Sequence, residues 1–297
     1  MDGPEHGAER PELIVVTWNI QWGRGVDGRV DLRRIVDTAR QLGDFDVLCL
    51  QEVADNYPGL AGAGTDNQFE QLARLLPGFH AQEGIAVERH EPSLGRQRFG
   101  NMIFSRWPAL QVLRHQLPWP ADPQNASMPR MALETVLDAP GRPLRVVTTH
   151  LEYYAPAQRA AQVEALRRLQ IEAAGHALSA RPAQQAGKPF EYRPRDSRAI
   201  LTGDFNCDVR DPLIARLQEP LPGAPSWVDA WPIANPGQVR PETVGVHDLA
   251  QWKGKRQCFD FLFVSQDLAG SVLRAGIDSD TQASDHQPLL LELDLTR

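Results

Sequence analysis

Residues 13–20 read LIVVTWNI and residues 46–53 read DVLCLQEV. Both runs have strand length and are apolar throughout, with β-branched residues dense in the first, as suits strands buried on both faces. Each carries a polar residue at its end, Asn19 in the first and Glu52 in the second. Between them, Leu32, Ile35, Val36 and Ala39 recur at helical spacing, with Asp31 as N-cap and Gly43 as terminator, so residues 30–42 are predicted helical. The same reading extended along the chain predicts strands at 99–105, 131–138, 144–150, 198–203, 259–264, 271–278 and 287–294. A long helix is predicted over 157–178, with apolar positions at Val163, Leu166, Leu169, Ala173 and Ala177, and a short one over 68–76, stopped by Pro77-Gly78. Residues 57–67, 181–197 and 219–246 are rich in Pro, Gly or polar residues and are predicted as loops. Many strands and few helices, with no fixed-period repeat and no break in composition, predict an α/β class of stacked sheets with helices outside, in one domain over 12–297. Residues 1–11, with Asp2, Glu5 and Glu9, are expected to form a flexible acidic tail.

The composition narrows the functional classes. The 297 residues are 42% hydrophobic and 23% charged, which excludes collagen-like, coiled-coil and largely disordered chains. No apolar run approaches the roughly 18 residues of a membrane helix, and the N-terminal stretch has no apolar segment of the secretory kind. Cys49, Cys207 and Cys258 are odd in number and far apart, so neither a disulfide framework nor a thiolate zinc site is expected. A soluble, cytoplasmic monomer is the expectation. A net charge of −7 argues against holding nucleic acid by bulk charge.

The polar ends of the apolar runs carry the functional signal. Trp18-Asn19, Gln51-Glu52, Thr149-His150, Gly203-Asp204-Phe205-Asn206, Phe259-Asp260 and Ser284-Asp285-His286 each place an amide, a carboxylate or an imidazole at a predicted strand end. A carboxylate there is costly unless paired or bound to metal. Several together suit a hard cation such as Mg²⁺, which prefers oxygen ligands, water and phosphate.

The ordered series TWNI, LQEV, GNMIFSRWP, TTHLE, GDFN, FDFLFVS and SDHQPL, from about Leu13 to Leu293, resembles the endonuclease/exonuclease/phosphatase superfamily. That group includes deoxyribonucleases, AP endonucleases, sphingomyelinases and inositol-polyphosphate 5-phosphatases. The resemblance implies a four-layer α/β/β/α sandwich of two mostly antiparallel sheets flanked by helices. It implies a Mg²⁺- or Mn²⁺-dependent hydrolase of phosphoesters, with Glu52, Asn19 and Asp285 around the metal and Glu52 as the main direct ligand. By the same likeness Asp204 positions or deprotonates the attacking water, and Asn206 helps hold water or phosphate. His286 donates to a phosphoryl oxygen, Asp260 fixes its tautomer, and His150 is the second histidine facing the phosphate. These types fit the chemistry: cationic and N–H groups offset charge developing on phosphoryl oxygens, and a carboxylate beside water supplies general-base help.

Residues flanking these motifs are candidates for substrate contact: Arg98, Arg130 and Lys255 for phosphate, and Tyr153, with Tyr154, Trp252 and Trp119, for a base, lipid or sugar. Glu152 is read as a loop carboxylate rather than a ligand, and Cys207 as a small residue near the site rather than a nucleophile. His150 and Gln257-Cys258-Phe259 differ from the usual AP-endonuclease residues and turn the reading away from abasic-site cleavage. The favoured function is a phosphodiesterase or phosphatase on a small or lipid-derived phosphoester. The alternatives are a DNA or RNA nuclease, supported by the arginines at 89, 96, 98, 106 and 114, and an inactive scaffold that keeps the fold.

Overall fold

A computed structural model describes residues 12–179, 187–193 and 195–297. The expected N-terminal tail lies outside these residues. Two six-stranded sheets face each other. The first contains β1 (Glu12–Asn19), β2 (Val47–Asp55), β3 (His80–Glu91), β4 (Gly95–Ser105), β11 (Val272–Ile277) and β12 (Leu289–Asp294), in the order β11-β12-β1-β2-β4-β3. The second contains β5 (Ala109–Gln116), β6 (Met131–Leu137), β7 (Leu144–His150), β8 (Ala199–Asp204), β9 (Trp227–Asp229) and β10 (Asp260–Ser265), in the order β5-β6-β7-β8-β10-β9.

Each sheet contains one parallel pair at its centre, β1–β2 and β7–β8, and is otherwise antiparallel. A helix bridges each parallel pair: α1 (Leu32–Leu42) in the first sheet and α3 (Pro156–Leu178) in the second. Smaller helices are α2 (Gln68–Leu75), α4 (Pro212–Gln218), α5 (Ala230–Ala234) and α6 (Leu249–Trp252). Asp31 caps α1 by accepting from the Arg34 N–H, and Pro156 opens α3, where a missing N–H costs nothing.

Three apolar clusters make the four layers. Leu13, Val15, Cys49, Ile103, Leu133, Val146 and Leu291 pack between the sheets. Val16, Leu48 and Leu50 meet Ile35, Val36 and Phe69 of α1 and α2, and Val147, Leu201 and Phe263 meet Val163, Leu166 and Ile214 of α3 and α4. The expected α/β/β/α sandwich is therefore the one observed. The buried face of α3 is more polar than its pattern predicted: Leu169 and Ala177 are half-buried, while Gln158, Gln162, Arg167 and Gln170 are buried. These side chains donate to the loop carbonyls of Pro118, Pro120 and Ser197, to those of Arg216 and Leu217 at the end of α4, and to those of Glu219 and Pro220 beyond it, so α3 satisfies the backbone it covers.

One polar patch interrupts the apolar interface between the sheets. Thr202 Oγ1 donates to Thr17 Oγ1 at 2.8 Å, and Gln51 Nε2 donates to Thr17 Oγ1 at 3.2 Å and Thr148 Oγ1 at 2.9 Å. The four residues come from β1, β2, β7 and β8. No described helix is long and apolar enough to cross a membrane.

Candidate active site

The topology explains why the polar strand ends meet. The parallel strands β1, β2, β7 and β8 point their C-terminal ends to one edge of the sandwich, and their antiparallel neighbours β10 and β12 begin there. His150 pairs in register with Asp204, and Asp204 with Asp260, so three of the candidate side chains sit level across adjacent strands. Gly203 makes this possible. Its φ is +134°, and a Cβ there would lie 1.9 Å from the Thr149 carbonyl oxygen, so no other residue fits between β7 and β8.

Glu52 is aimed by a β-bulge. Leu50 and Val53 both pack under the α1–α2 layer with two residues between them, one more than strand alternation allows, and the β2–β4 register shifts there. Glu52 takes φ +62° and its carboxylate turns toward the strand ends. Among the described residues, six other than glycine have positive φ, and four of these, Gln21, Trp22, Glu52 and Asn206, line one cavity of about 510 Å³. Such strain concentrates where function requires a particular side-chain direction.

The cavity floor brings the strand ends together. Asn19 Nδ2 donates to Glu52 Oε1 and to Asp204 Oδ2, both at 3.0 Å. His150 Nε2 lies 3.5 Å from Asp204 Oδ2 and 3.9 Å from Glu52 Oε1, and His286 Nε2 lies 3.7 Å from Asp204 Oδ2. Asn206 donates its backbone N–H to Asp204 Oδ1 and its Nδ2 to the Leu151 carbonyl, each at 2.8 Å. Behind His286, Nδ1 is 2.9 Å from Asp260 Oδ2, which also accepts from Thr243 Oγ1 at 2.7 Å. Asp285 Oδ2 accepts from Gln251 Nε2 at 2.9 Å and Trp252 Nε1 at 3.0 Å, both on α6. The α6 segment docks closely because Gly245, at φ +71°, passes beneath it: a Cβ there would lie 2.2 Å from the Lys255 carbonyl oxygen.

The electrostatics divide the two histidines. Burial works against a charged His286, but the carboxylates of Asp260, Asp204 and Asp285 outweigh it and raise its pKa well above the usual imidazole value. Burial, with the charges of Arg130 and His286, drives His150 the other way. Burial pushes the Asp204 carboxyl up to about 7; the His286 imidazolium opposes this and the Asp260 carboxylate adds to it. Burial and the Asp285 carboxylate also raise Glu52. Cys207 is buried, and burial raises its thiol to about 12, so it is no nucleophile at neutral pH.

Asn19, Glu52, His150, Asp204, Asn206, Asp285 and His286 therefore lie together, with Asp260 behind His286. Asn19 sits between the two carboxylates. Its Oδ1 accepts the Gln21 N–H at 3.1 Å, and its amide nitrogen bridges the two carboxylates. Arg130 and Tyr153 line the cavity, whereas Arg98 and Lys255 do not. Arg98 is held by Asp55 at 2.8 Å and Glu83 at 2.9 Å, over the Phe69 ring, and Lys255 is exposed beyond α6. Glu152 is the buried counter-ion of Arg130, with Nε to Oε2 at 3.1 Å. Thr243, Gln251 and Gln21 were not identified from sequence. They are single polar residues in loops or helix ends, and only their contacts reveal them.

The sequence matches the model of the Endonuclease/Exonuclease/phosphatase family over residues 16–286, nearly the whole chain, from before Asn19 to His286. The chain belongs to this family. No curated protein matches the sequence significantly. Among solved structures, an endonuclease/exonuclease/phosphatase protein from Beutenbergia cavernae is 24% identical, with TM-score 0.64 over 96% of this chain and 72% of the other. One from Bacteroides vulgatus is 19% identical, with TM-score 0.67 over 96% and 99%. A mannosyl-6-phosphatase from Bacteroides thetaiotaomicron is 18% identical, with TM-score 0.61 over 95% and 99%. At these identities the likeness concerns the endonuclease/exonuclease/phosphatase fold.

Proposed function

We propose that the protein is a divalent-metal-dependent phosphoester hydrolase. The observation that supports this most directly is the position of Asp204 Oδ2, within 3.7 Å of both imidazole Nε2 atoms on the cavity floor. One carboxylate oxygen there can take a proton from water while two N–H groups reach the oxygens of a phosphoryl group.

The donor set fits a hard cation. Glu52, Glu152, Asp204 and Asp285 line the cavity, and among its described lining residues Arg130 is the single lysine or arginine, already paired with Glu152. Buried negative charge left without a counter-ion is unfavourable, and oxygen donors suit Mg²⁺ or Mn²⁺. Glu52 and Asp285 would hold the ion, Asp285 being steadied by Gln251 and Trp252. Asp204, Asp260 and His286 also bring one donor atom each within 4.8 Å of the others. Because His286 Nδ1 is engaged with Asp260 and the ring is held protonated, we read that group as a proton-positioning chain instead. A divalent ion would offset charge developing on the phosphoryl oxygens.

The protein's own groups supply the rest. Asp204 orients water and accepts its proton, at a pKa near the range where a general base works at neutral pH. The Asn206 N–H fixes the other carboxylate oxygen. His286, kept charged by Asp260, donates to a phosphoryl oxygen, and His150 faces the same space. Arg130 Nη1 is buried without a hydrogen-bond partner, and an anionic oxygen of substrate would complete it. None of the arginines at 89, 96, 98, 106 and 114, which motivated the nuclease alternative, lines the cavity.

Hydrolysis of bis(p-nitrophenyl) phosphate and p-nitrophenyl phosphate, with Mg²⁺, Mn²⁺ or EDTA, tests the reading. Turnover that needs metal and disappears in His286→Ala is expected. Turnover that survives EDTA, or persists at the parent rate in the variant, would overturn it. The preferred substrate separates diesterase from monoesterase.

A further inference from the structure

The cavity holds more aromatic surface than a phosphoryl group uses. Tyr153 and Tyr154 lie just beyond the end of β7 at His150, and four hydrogen bonds fasten the backbone of Glu152–Tyr154. The Glu152 N–H donates to Gln162 Oε1 and the Tyr154 N–H to Glu152 Oε1, each at 2.8 Å. Arg159 Nη1 donates to the carbonyls of Glu152 at 2.7 Å and Tyr153 at 2.9 Å. Yet the two residues are 39% and 61% exposed. Rings carried on a backbone tied in this way have less freedom to lose when a ligand covers them, and covering them removes apolar surface from water.

The rings form a connected wall. Tyr153 meets Tyr154 edge-on at 4.8 Å and 89°, and Trp252 at 6.1 Å and 86°; Phe259 backs both Tyr153 and Trp252 at 6.2 and 5.9 Å. Trp252 also lies 6.2 Å from the His286 ring and donates to Asp285, so the wall begins at the catalytic floor. The cavity, at about 510 Å³, falls in the range of roughly 300–1,000 Å³ that takes a whole small ligand. Its charge sets a second limit. Arg130, with Glu152 as counter-ion, faces three further carboxylates, so a second phosphate on the substrate would meet no free cation among the described lining residues.

We propose that the natural substrate carries one phosphoryl centre and, beside it, a flat aromatic group held by Tyr153, Tyr154 and Trp252. The group is a phenolic ring or a nucleobase, chemistries that share a π-face. The inference rests on the phosphoester reading and names the substrate class of that same cavity.

The test is calorimetric binding with Mg²⁺ to the full chain carrying Asp204→Asn, in which the probes are not hydrolysed during the titration, so that binding is read apart from the hydrolase reading. The probes are methyl phosphate, cyclohexyl phosphate, phenyl phosphate, thymidine 5′-monophosphate, deoxyribose 5-phosphate and inositol 1,4-bisphosphate. Phenyl phosphate or thymidine 5′-monophosphate is expected to bind about tenfold tighter than its non-aromatic partner, cyclohexyl phosphate or deoxyribose 5-phosphate, as stacking on an aromatic side chain contributes. The pair that shows the gain identifies the ring or the base. Tyr153→Leu and Tyr154→Leu should remove the preference, and Tyr153→Phe should keep it. Equal affinity of the flat and non-flat probes, an unchanged preference in both leucine variants, or tightest binding by the bisphosphate would overturn the proposal.

Discussion

Glu134 on β6 and Asp204 at the end of β8 are both buried carboxylates of the second sheet, and the fold treats them in opposite ways. Glu134 accepts from Arg145 Nε, Arg195 Nε and Arg195 Nη2, all at 3.0 Å, and lies 3.1 Å from His115 Nε2. Burial favours its neutral form, but the contacts with His115, Arg145 and Arg195 overcome this and hold its carboxyl far below the usual range. Arg145 also reaches Gln170 of α3 and the Asp196 carbonyl, so the cluster pins the segment entering β8 to the sheet and to α3. Asp204 accepts only from the neutral Asn19 amide and Asn206 N–H. Its nearest cation, the His286 ring, stays at 3.7 Å, and its carboxyl rises. The same sheet can neutralise a buried carboxylate completely. Where it does not, the unmet charge coincides with the place proposed for reaction.

Substitutions at the two carboxylates should separate in kind. Asp204→Asn should lower turnover about 10²–10⁴-fold, the usual worth of a general base, while leaving the melting temperature equal or higher, because an unmet buried charge is removed. A marked loss of stability with turnover retained would erase the contrast. Glu134→Gln should do the reverse. It leaves two buried guanidinium groups around a neutral amide, and should cost about 3–5 kcal/mol in chemical denaturation with little change in turnover per folded molecule.

The acid limb of stability sharpens the point. A carboxyl whose folded pKa lies below its unfolded value of about 4.3 contributes stability above that value and loses it as pH falls toward the folded pKa. Unfolding free energy of the parent should therefore fall below about pH 4.3 more steeply than that of Glu134→Gln; parallel curves would count against the cluster. The smallest effect is expected at Arg98. Because Asp55 and Glu83 hold it away from the cavity, Arg98→Gln should change KM by less than about twofold, within the weak coupling of sites without shared partners. A large rise in KM would restore its expected role in binding substrate.

The comparison also shows what sequence carries. The central strands were legible because they are buried on both faces, and a polar residue closing an apolar run stands out. So Asn19, Glu52, His150, Asp204 and Asp260 could be seen as strand ends before their meeting was known. The edge strands β3 and β5 were missed. They lie at sheet margins with half-exposed residues, and the sequence of β3, HAQEGIAVERHE, shows neither an apolar run nor clean alternation. β9 and α5 were hidden inside the predicted 219–246 loop, being three and five residues long. Arg98 and Lys255 were chosen as neighbours of motifs, but adjacency in sequence does not say which way a side chain faces. Thr243 gave no pattern at all. Its role, donating to Asp260 and accepting the Phe259 N–H at 3.0 Å, exists only in three dimensions.

The patch of Thr17, Gln51, Thr148 and Thr202 has a consequence for alignment. Glu52 and Asn19 belong to one sheet, His150 and Asp204 to the other, so the cavity floor straddles a seam. An interface of methyl groups alone resists separation but only weakly resists sliding, since dispersion has little directional preference. Hydrogen bonds between hydroxyl and amide groups are directional and lose strength steeply when misaligned. Set directly below the floor, they act as a dowel across the seam, and the distances between groups from opposite sheets inherit their accuracy from it.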